Sequence, residues 1–395
     1  VRSIVYLSQD GVLDPVGWSQ VGRVVIALAC AGFRYTVISL EKREALSDSA
    51  RVTRAREAFG RAGVTWVPLP FRDVGRGAAV ENFTSMLSAA ASHVRRGADL
   101  VHARSYPPTV SALALRDALG IPYVFDARGY WLDERIEAGS IPSRAGRVAR
   151  LLEERLYRRA ATVVTLTELQ AADVRTRFRK TPATCIPTCA DFEAFALRES
   201  AVRARPAMLG DGVWIGLVGS VNPSYRPHDA LRIVARMLAA RSDARLAVLT
   251  PQVALMQALV AEAGIDPSRT VVTSVAPDDM PQWVPHLDWA VQILNTTPAK
   301  RASMPTKLAE FLACGVRVVH HGCNEEVGSW IRRTEAGLVL DDLSESTISE
   351  AVAAFRDSRR DLDAATRTRT LAAQHFSLES GVHRYVDVLG SLDTR

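Results

Sequence analysis

Lys307 and Glu310 stand three residues apart in 303–319 (SMPTKLAEFLACGVRVV), a spacing that puts an ammonium and a carboxylate on one helix face. Free N–H groups at the start of such a helix, together with its dipole, attract an anion such as a diphosphate. Lys307 adds positive charge there, and Glu310 is placed to accept hydrogen bonds from ribose hydroxyls. The alternative reading is an amphipathic helix whose Lys and Glu form a weak surface pair. Pro305 is expected in the first helical turn, where a missing N–H costs nothing. Gly315 is expected to end the helix in the left-handed conformation, with 316–319 following as a buried strand.

Further polar residues cluster after apolar runs. Arg104 lies in 102–106 (HARSY), and Asp126, Arg128, Asp133 and Glu134 lie in 126–134 (DARGYWLDE). Both segments follow expected strands, so both fall at the carboxyl edge of a sheet, where ligands bind; surface salt bridges are the competing reading. Gly11 and Gly17 in 8–19 (SQDGVLDPVGWS) allow a tight backbone that can approach a ligand, although an ordinary turn has the same composition. In 216–226 (GLVGSVNPSYR), Gly219 ends a strand and Arg226 opens a helix, a place favourable to phosphate or simply to a surface arginine.

Metal and nucleophile chemistry find little support. Cys185 and Cys189 lack a second ligand pair, and Asp361 and Asp363 read as solvent-facing. His320 and His321 read as a strand-end surface pair, while Ser105 and Ser220 lack a nucleophile elbow. Neither a three-glycine dinucleotide fingerprint nor a phosphate loop occurs.

These groups must be positioned by alternating elements. Strands are expected at 3–8, 35–40, 64–69, 100–103, 122–126, 161–166 and 184–187, then at 213–219, 246–250, 270–273, 289–293, 316–319 and 337–340. Helical segments between them, the first over 19–31, imply right-handed crossovers and parallel sheets. The polar stretch 196–212 lacks a periodic face and reads as a linker. The expected organisation is therefore a first α/β domain over 1–195, a second over 213–375, and an amphipathic helix in 376–395. Two such domains would face one another across a cleft.

At 395 residues, two domains are the default, and 48% hydrophobic with 23% charged residues describes a soluble globular protein. No apolar run reaches the roughly 20 residues of a membrane span, and 2–8 reads as a strand rather than a signal peptide. An odd number of cysteines, five, favours a reduced cytosolic setting. The net charge of +6 rests on 45 arginines and four lysines, a bias of base composition rather than a nucleic-acid footprint. The basic run 144–159 leaves peripheral membrane contact as a second reading beside a cationic surface helix.

Together the motifs resemble the retaining glycosyltransferases of family 4, the bacterial group 1 type with the GT-B fold, over nearly the whole chain. DGVLDPVGWSQV is similar to the acceptor-side loop of one bacterial branch; RSYPPT and FDARGYWLDER resemble its next cleft loops. VVTLTE and IPTCADFEAF resemble its late first-domain signatures, and PTKLAEFLACGVRVV its donor-binding unit. The resemblance implies two Rossmann-like domains with parallel sheets facing across a cleft, and a C-terminal helix that crosses back to the first. It implies donor contacts from Gly17, Gly219, Ser220, Arg226, Ser303, Pro305, Thr306, Lys307 and Glu310. It implies acceptor contacts from Trp18, Arg104, Asp126, Arg128 and Glu134, with Asp126, Arg128, Arg226 and Lys307 serving the reaction.

Two positions depart from that pattern. Ala302 stands eight residues before Glu310, where the family often has glutamate, and Ser220 follows Gly219, where it often has arginine. The expectation is transfer of a sugar from a nucleoside-diphosphate sugar, UDP first and GDP second, to a hydroxyl acceptor. No metal or other cofactor is expected to be needed. The departures also motivate a non-catalytic sugar-nucleotide sensor or partner subunit. Epimerases and phosphorylases with two similar domains are the nearer rivals.

Overall fold

The computed structural model describes residues 1–392 except 74, 76, 201–203 and 223. Parts of the expected linker, of the loop 216–226 and of the terminal segment 376–395 therefore lie outside the described residues, as does the Arg144 side chain. The chain divides into two compact units, 1–187 with 381–395, and 188–380.

In the first unit β1 (Ser3–Ser8), β2 (Arg34–Glu41), β3 (Thr65–Pro70), β4 (Leu100–Arg104), β5 (Tyr123–Ala127), β6 (Thr162–Thr165) and β7 (Ala183–Cys185) form a sheet in the order β3-β2-β1-β4-β5-β6-β7. Every pairing is parallel. The central strands read as apolar runs because helices cover both faces, and β4, β5 and β6 are buried at every residue. Strand order reverses between β1 and β4. In open α/β sheets that reversal opens a crevice at the carboxyl ends.

The second unit holds β8 (Val213–Val218), β9 (Ala244–Leu249), β10 (Thr270–Thr273), β11 (Trp289–Ile293), β12 (Arg317–His321) and β13 (Gly337–Val339), ordered β10-β9-β8-β11-β12-β13 and again parallel. Its reversal lies between β8 and β11.

The units part at 187/188, ahead of the expected boundary at 195. The Thr188 hydroxyl donates to the Met304 carbonyl at 3.0 Å, and Ala190 bridges to Ser377, so this stretch already belongs to the second unit. The stretch read as a linker is likewise packed where it is described. Leu197 and Leu209 are buried, and Arg198 donates to the Pro285 and His286 carbonyls and to Asp288. The last helix, Leu378–Gly390, runs into the segment 381–395 that belongs to the first unit. Among the described residues, no helix is long and apolar enough to cross a membrane. Helix Ser143–Arg159 buries Leu156 and Tyr157 against the first sheet and exposes Val148, Leu151 and Leu152.

Candidate functional site

The carboxyl edge of the first sheet gathers a closed ionic cluster. Register sets Ser8 beside Arg104, and Arg104 beside Asp126. Asp126 is fully buried. Its Oδ1 accepts from Arg128 Nη1 at 3.3 Å and its Oδ2 from the Tyr385 hydroxyl at 3.3 Å. Arg104 Nη1 lies 3.6 Å from Oδ2, and Arg104 Nε donates to Asp10 at 3.1 Å. Burial alone would push the Asp126 carboxyl up, but Arg128, Arg104 and His102 together hold it below the usual carboxylate range. His102 is sandwiched by Tyr6 and Tyr385, with ring centroids 4.5 and 5.5 Å away. Among the described residues neither of its ring nitrogens makes a hydrogen bond, and burial pulls its pKa down to about 4 against the upward pull of Asp126.

Backbone geometry supports this edge. Ser105 adopts φ +66°, a sparsely populated conformation for a non-glycine residue and one that concentrates at functional sites. Its N–H donates to the Asp126 carbonyl at 2.8 Å, and its own carbonyl accepts from the Thr109 hydroxyl at 2.6 Å. Across the crevice the first loop hangs on Glu41, which is buried on β2. Glu41 accepts from the N–H groups of Val12 and Leu13 at 2.8 and 3.0 Å and from the Ser39 hydroxyl at 2.5 Å. A Cβ at Gly17 would fall 1.8 Å from the Gly11 carbonyl oxygen, so both loop ends depend on that glycine. The helix expected at 19–31 starts earlier, with Pro15–Gly17, continues through one wide turn, Trp18–Gly22, and ends with Arg23–Cys30. Gly22 accommodates the Trp18 ring, whose six-membered edge would sit 2.6 Å from an added Cβ.

The carboxyl edge of the second sheet is organised differently. Helix Thr306–Ala313 carries Lys307, whose Nζ donates to both Glu310 oxygens at 3.0 and 2.9 Å. Each partner keeps capacity: an ammonium has a third N–H, and a carboxylate has further lone pairs. The expectation that Pro305 opens this helix is corrected. Pro305 occupies the N-cap position with extended backbone (φ −63°, ψ 126°), and the helix starts at Thr306. The approach is held extended because the Ser303 carbonyl accepts from Asn324 at 2.6 Å and the Met304 carbonyl from Thr188. Gly315 follows the helix at φ +64°, and β12 begins at Arg317.

At the ends of β8, β9 and β11 a pocket is lined by Gly219, Ser220, Arg226, Thr250 and Phe311 among others. Gly219 takes φ +130°. Arg226 precedes helix Pro227–Ala240; its N–H donates to the Ile293 carbonyl at 3.0 Å, and its Nε lies 2.7 Å from Asp229. Phe311 comes from the Lys307 helix, so Arg226 and Lys307 belong to elements that meet at this edge.

The structure thus brings Arg104, Asp126 and Arg128 into one cluster, Gly219, Ser220 and Arg226 into one pocket, and Lys307 onto Glu310. Trp18 is half-buried and packs with Leu13 and Ala45 in a small apolar cluster of the first unit. Glu134 is half-buried in the first turn of helix Trp131–Glu137. Ala302 is buried, whereas Ser220 is exposed. Sequence reasoning missed Tyr385, His102 and Glu41 as parts of the first edge. Only the HARSY segment around His102 had drawn notice. It also placed His320 and His321 on the surface; both are buried within β12. His321 Nδ1 lies 2.9 Å from the Leu340 carbonyl, just past β13, which pairs with β12. Among the described residues no three His, Cys, Asp or Glu side chains are grouped to hold a metal ion.

Residues 17–189 match the family model described as a glycosyl transferase 4-like domain. No curated protein matches the chain in sequence. Solved structures do match in fold. HepE from Anabaena in complex with UDP-glucose superposes with a TM-score of 0.70 at 14% identity, covering 99% of this chain and 100% of that one. Sucrose-phosphate synthase from Thermosynechococcus elongatus gives 0.68 at 14%, covering 99% of each chain. The N-terminal domain of Candida albicans trehalose-6-phosphate phosphatase gives 0.66 at 9%, covering 99% of this chain and 97% of that one. Identities this low carry the fold alone, and these proteins bear different names for their activities. The chain is thus similar to a glycosyl transferase 4-like domain over residues 17–189, and its α/β fold is of the GT-B kind, with two parallel sheets of seven and six strands.

Proposed function

We propose that the protein is a retaining glycosyltransferase that moves a sugar from a nucleoside-diphosphate sugar to an acceptor hydroxyl. The observation that carries this reading is the carboxyl edge of the second sheet. There a glutamate is held by a lysine on one short helix, beside a pocket that contains Gly219 and Arg226. On this reading Glu310 accepts from the ribose hydroxyls, while Lys307, Arg226 and helix N–H groups face the diphosphate. HepE is described with UDP-glucose, which makes that the first donor to test and GDP-sugars the second.

In the proposed reaction the acceptor oxygen bonds to the anomeric carbon on the face from which the diphosphate departs. The bond from that carbon to the phosphate oxygen breaks, and the acceptor proton passes to a phosphate oxygen of the leaving group. Protein groups then have to stabilise the developing negative charge and orient the acceptor. Lys307 and Arg226 serve the first task. Asp126 has no exposed surface, so its part is to hold Arg104 and Arg128 in place at the acceptor side. Trp18 and Glu134 complete the proposed acceptor lining, with Gly17, Ser303, Pro305 and Thr306 on the donor side.

Incubation with UDP-glucose, followed by proton NMR of the released or transferred glucose, tests this directly. Water or an added alcohol serves as acceptor. The expected first product keeps the α configuration. A β product excludes retention, and tight nucleotide binding without turnover across acceptors moves the sensor reading ahead.

A further inference from the structure

The second unit has another cavity, of about 380 Å³, at the opposite end of the same sheet. It is lined where the strands begin, by Val213 of β8, Trp289 of β11 and Arg317 of β12, and by the turn 358–361 that leads into helix Leu362–Phe376. A five-residue parallel strand separates it from the carboxyl edge by about 15 Å. Four arginines line it, Arg241, Arg317, Arg359 and Arg360, against the carboxylates of Asp288, Glu335 and Asp361.

Most of these charges are already committed. Asp288 accepts from Arg198 at 2.9 Å and from the Trp214 N–H at 2.8 Å, and Asp361 caps the Ala364 N–H at 3.0 Å. Arg360 pairs with both oxygens of Glu199, and Arg241 with both of Asp243. Among the described residues the Arg359 guanidinium donates only to the Ser358 carbonyl, at 3.1 Å. Arg317 stacks over the buried Trp289 indole, its guanidinium carbon 4.3 Å from the ring centroid, and among the described residues that guanidinium forms no hydrogen bond or ion pair. Glu335 is exposed and forms no ion pair with it. Burial lowers the Arg317 pKa, and no carboxylate offsets this.

A guanidinium fixed by stacking, half desolvated and without a counter-ion, in a cavity large enough for a small metabolite, is a receptor for an anion with paired oxygens. We propose that this pocket binds a small phosphate-bearing molecule, with Arg317 as its anchor and Arg359 as a second donor. The site is separate from the proposed donor edge and does not depend on it.

Calorimetric titration with inorganic phosphate and with a hexose phosphate, at low ionic strength, tests the proposal. Wild type should bind saturably, tighter for the hexose phosphate if the occupant is an ester and equally if it is free phosphate. Arg317→Gln should weaken binding at least about tenfold, the scale of a charge-assisted pair. Arg359→Gln, at an exposed position that folding tolerates, should weaken it severalfold. Lys307→Ala and saturating UDP should leave it unchanged. No saturable binding to wild type, or binding that both arginine variants leave intact, overturns the proposal. So does phosphate binding that Lys307→Ala abolishes or UDP displaces, since that would be the donor edge.

Discussion

The two carboxyl edges use charge in opposite ways. In the first unit Asp126 is enclosed by two arginines, a tyrosine and a histidine, and Glu41 is consumed by two backbone N–H groups and a serine. In the second, Lys307 and Arg226 keep side-chain exposures of 23% and 39%, and among the described residues each is ion-paired only with a carboxylate three residues along its own chain. A buried, fully partnered cluster is rigid and expensive to disturb, whereas a partly exposed cation paired with a neighbour on its own segment can exchange that partner for a ligand. On the proposed reading the first edge positions, and the second binds.

The largest effect is expected where the first edge loses its central anion. Asp126→Ala leaves Arg104 and Arg128 facing one another without it and should cost about 3–5 kcal/mol of stability in denaturant unfolding. A loss below about 1 kcal/mol would mean that the cluster is not the scaffold described. Next comes Glu41→Ala, which strips the first loop of its acceptor and should cost roughly 2–4 kcal/mol. Faster proteolysis within 10–18 would locate the damage.

Acid should expose the buried histidines. His102 and His320 are held near 4 and 3, below the ordinary value of about 6.5, because burial disfavours the charged ring. The unfolded chain then binds more protons than the native one below that value. Stability should fall as pH drops from about 6.5 toward 4, before loss of the Asp126 charge adds to it. His102→Phe keeps a ring between Tyr6 and Tyr385 and should flatten that slope in melting curves at pH 7, 6 and 5. An unchanged slope would contradict the assignment. The smallest effect on stability is expected at the second edge. Arg226→Ala should change it by less than about 1 kcal/mol, and Lys307→Ala, which leaves the buried Glu310 carboxylate without its cation, should cost less than Asp126→Ala; a larger loss would erase the contrast.

The alternation of apolar strands with helical periods made both sheets legible in the sequence, because a parallel strand buried on both faces needs a continuous apolar run. Errors of a residue or two at strand ends, as at Arg104 and Ala127, arise because a neighbouring strand rather than local composition decides where pairing stops. Polar residues directly after strands pointed to Arg104, Asp126 and Arg128. Tyr385 was not legible, since it reaches Asp126 from 259 residues away through the return of the last helix. Glu41 lies just past the expected strand 35–40, and its role emerges only when β1 and β2 lie side by side. His320 and His321 were misplaced because they end a strand, β12, that is paired on both sides, by β11 and by β13 from later in the chain.

The most direct test of the donor edge is calorimetric titration of UDP, then GDP, into wild type and Glu310→Ala. The account predicts saturable binding of one nucleotide to wild type, weakened in a folded Glu310→Ala by roughly 1.5–3 kcal/mol, the scale of hydrogen bonds to a charged group. Equal affinity in both proteins, or no nucleotide bound by folded wild type, would contradict it.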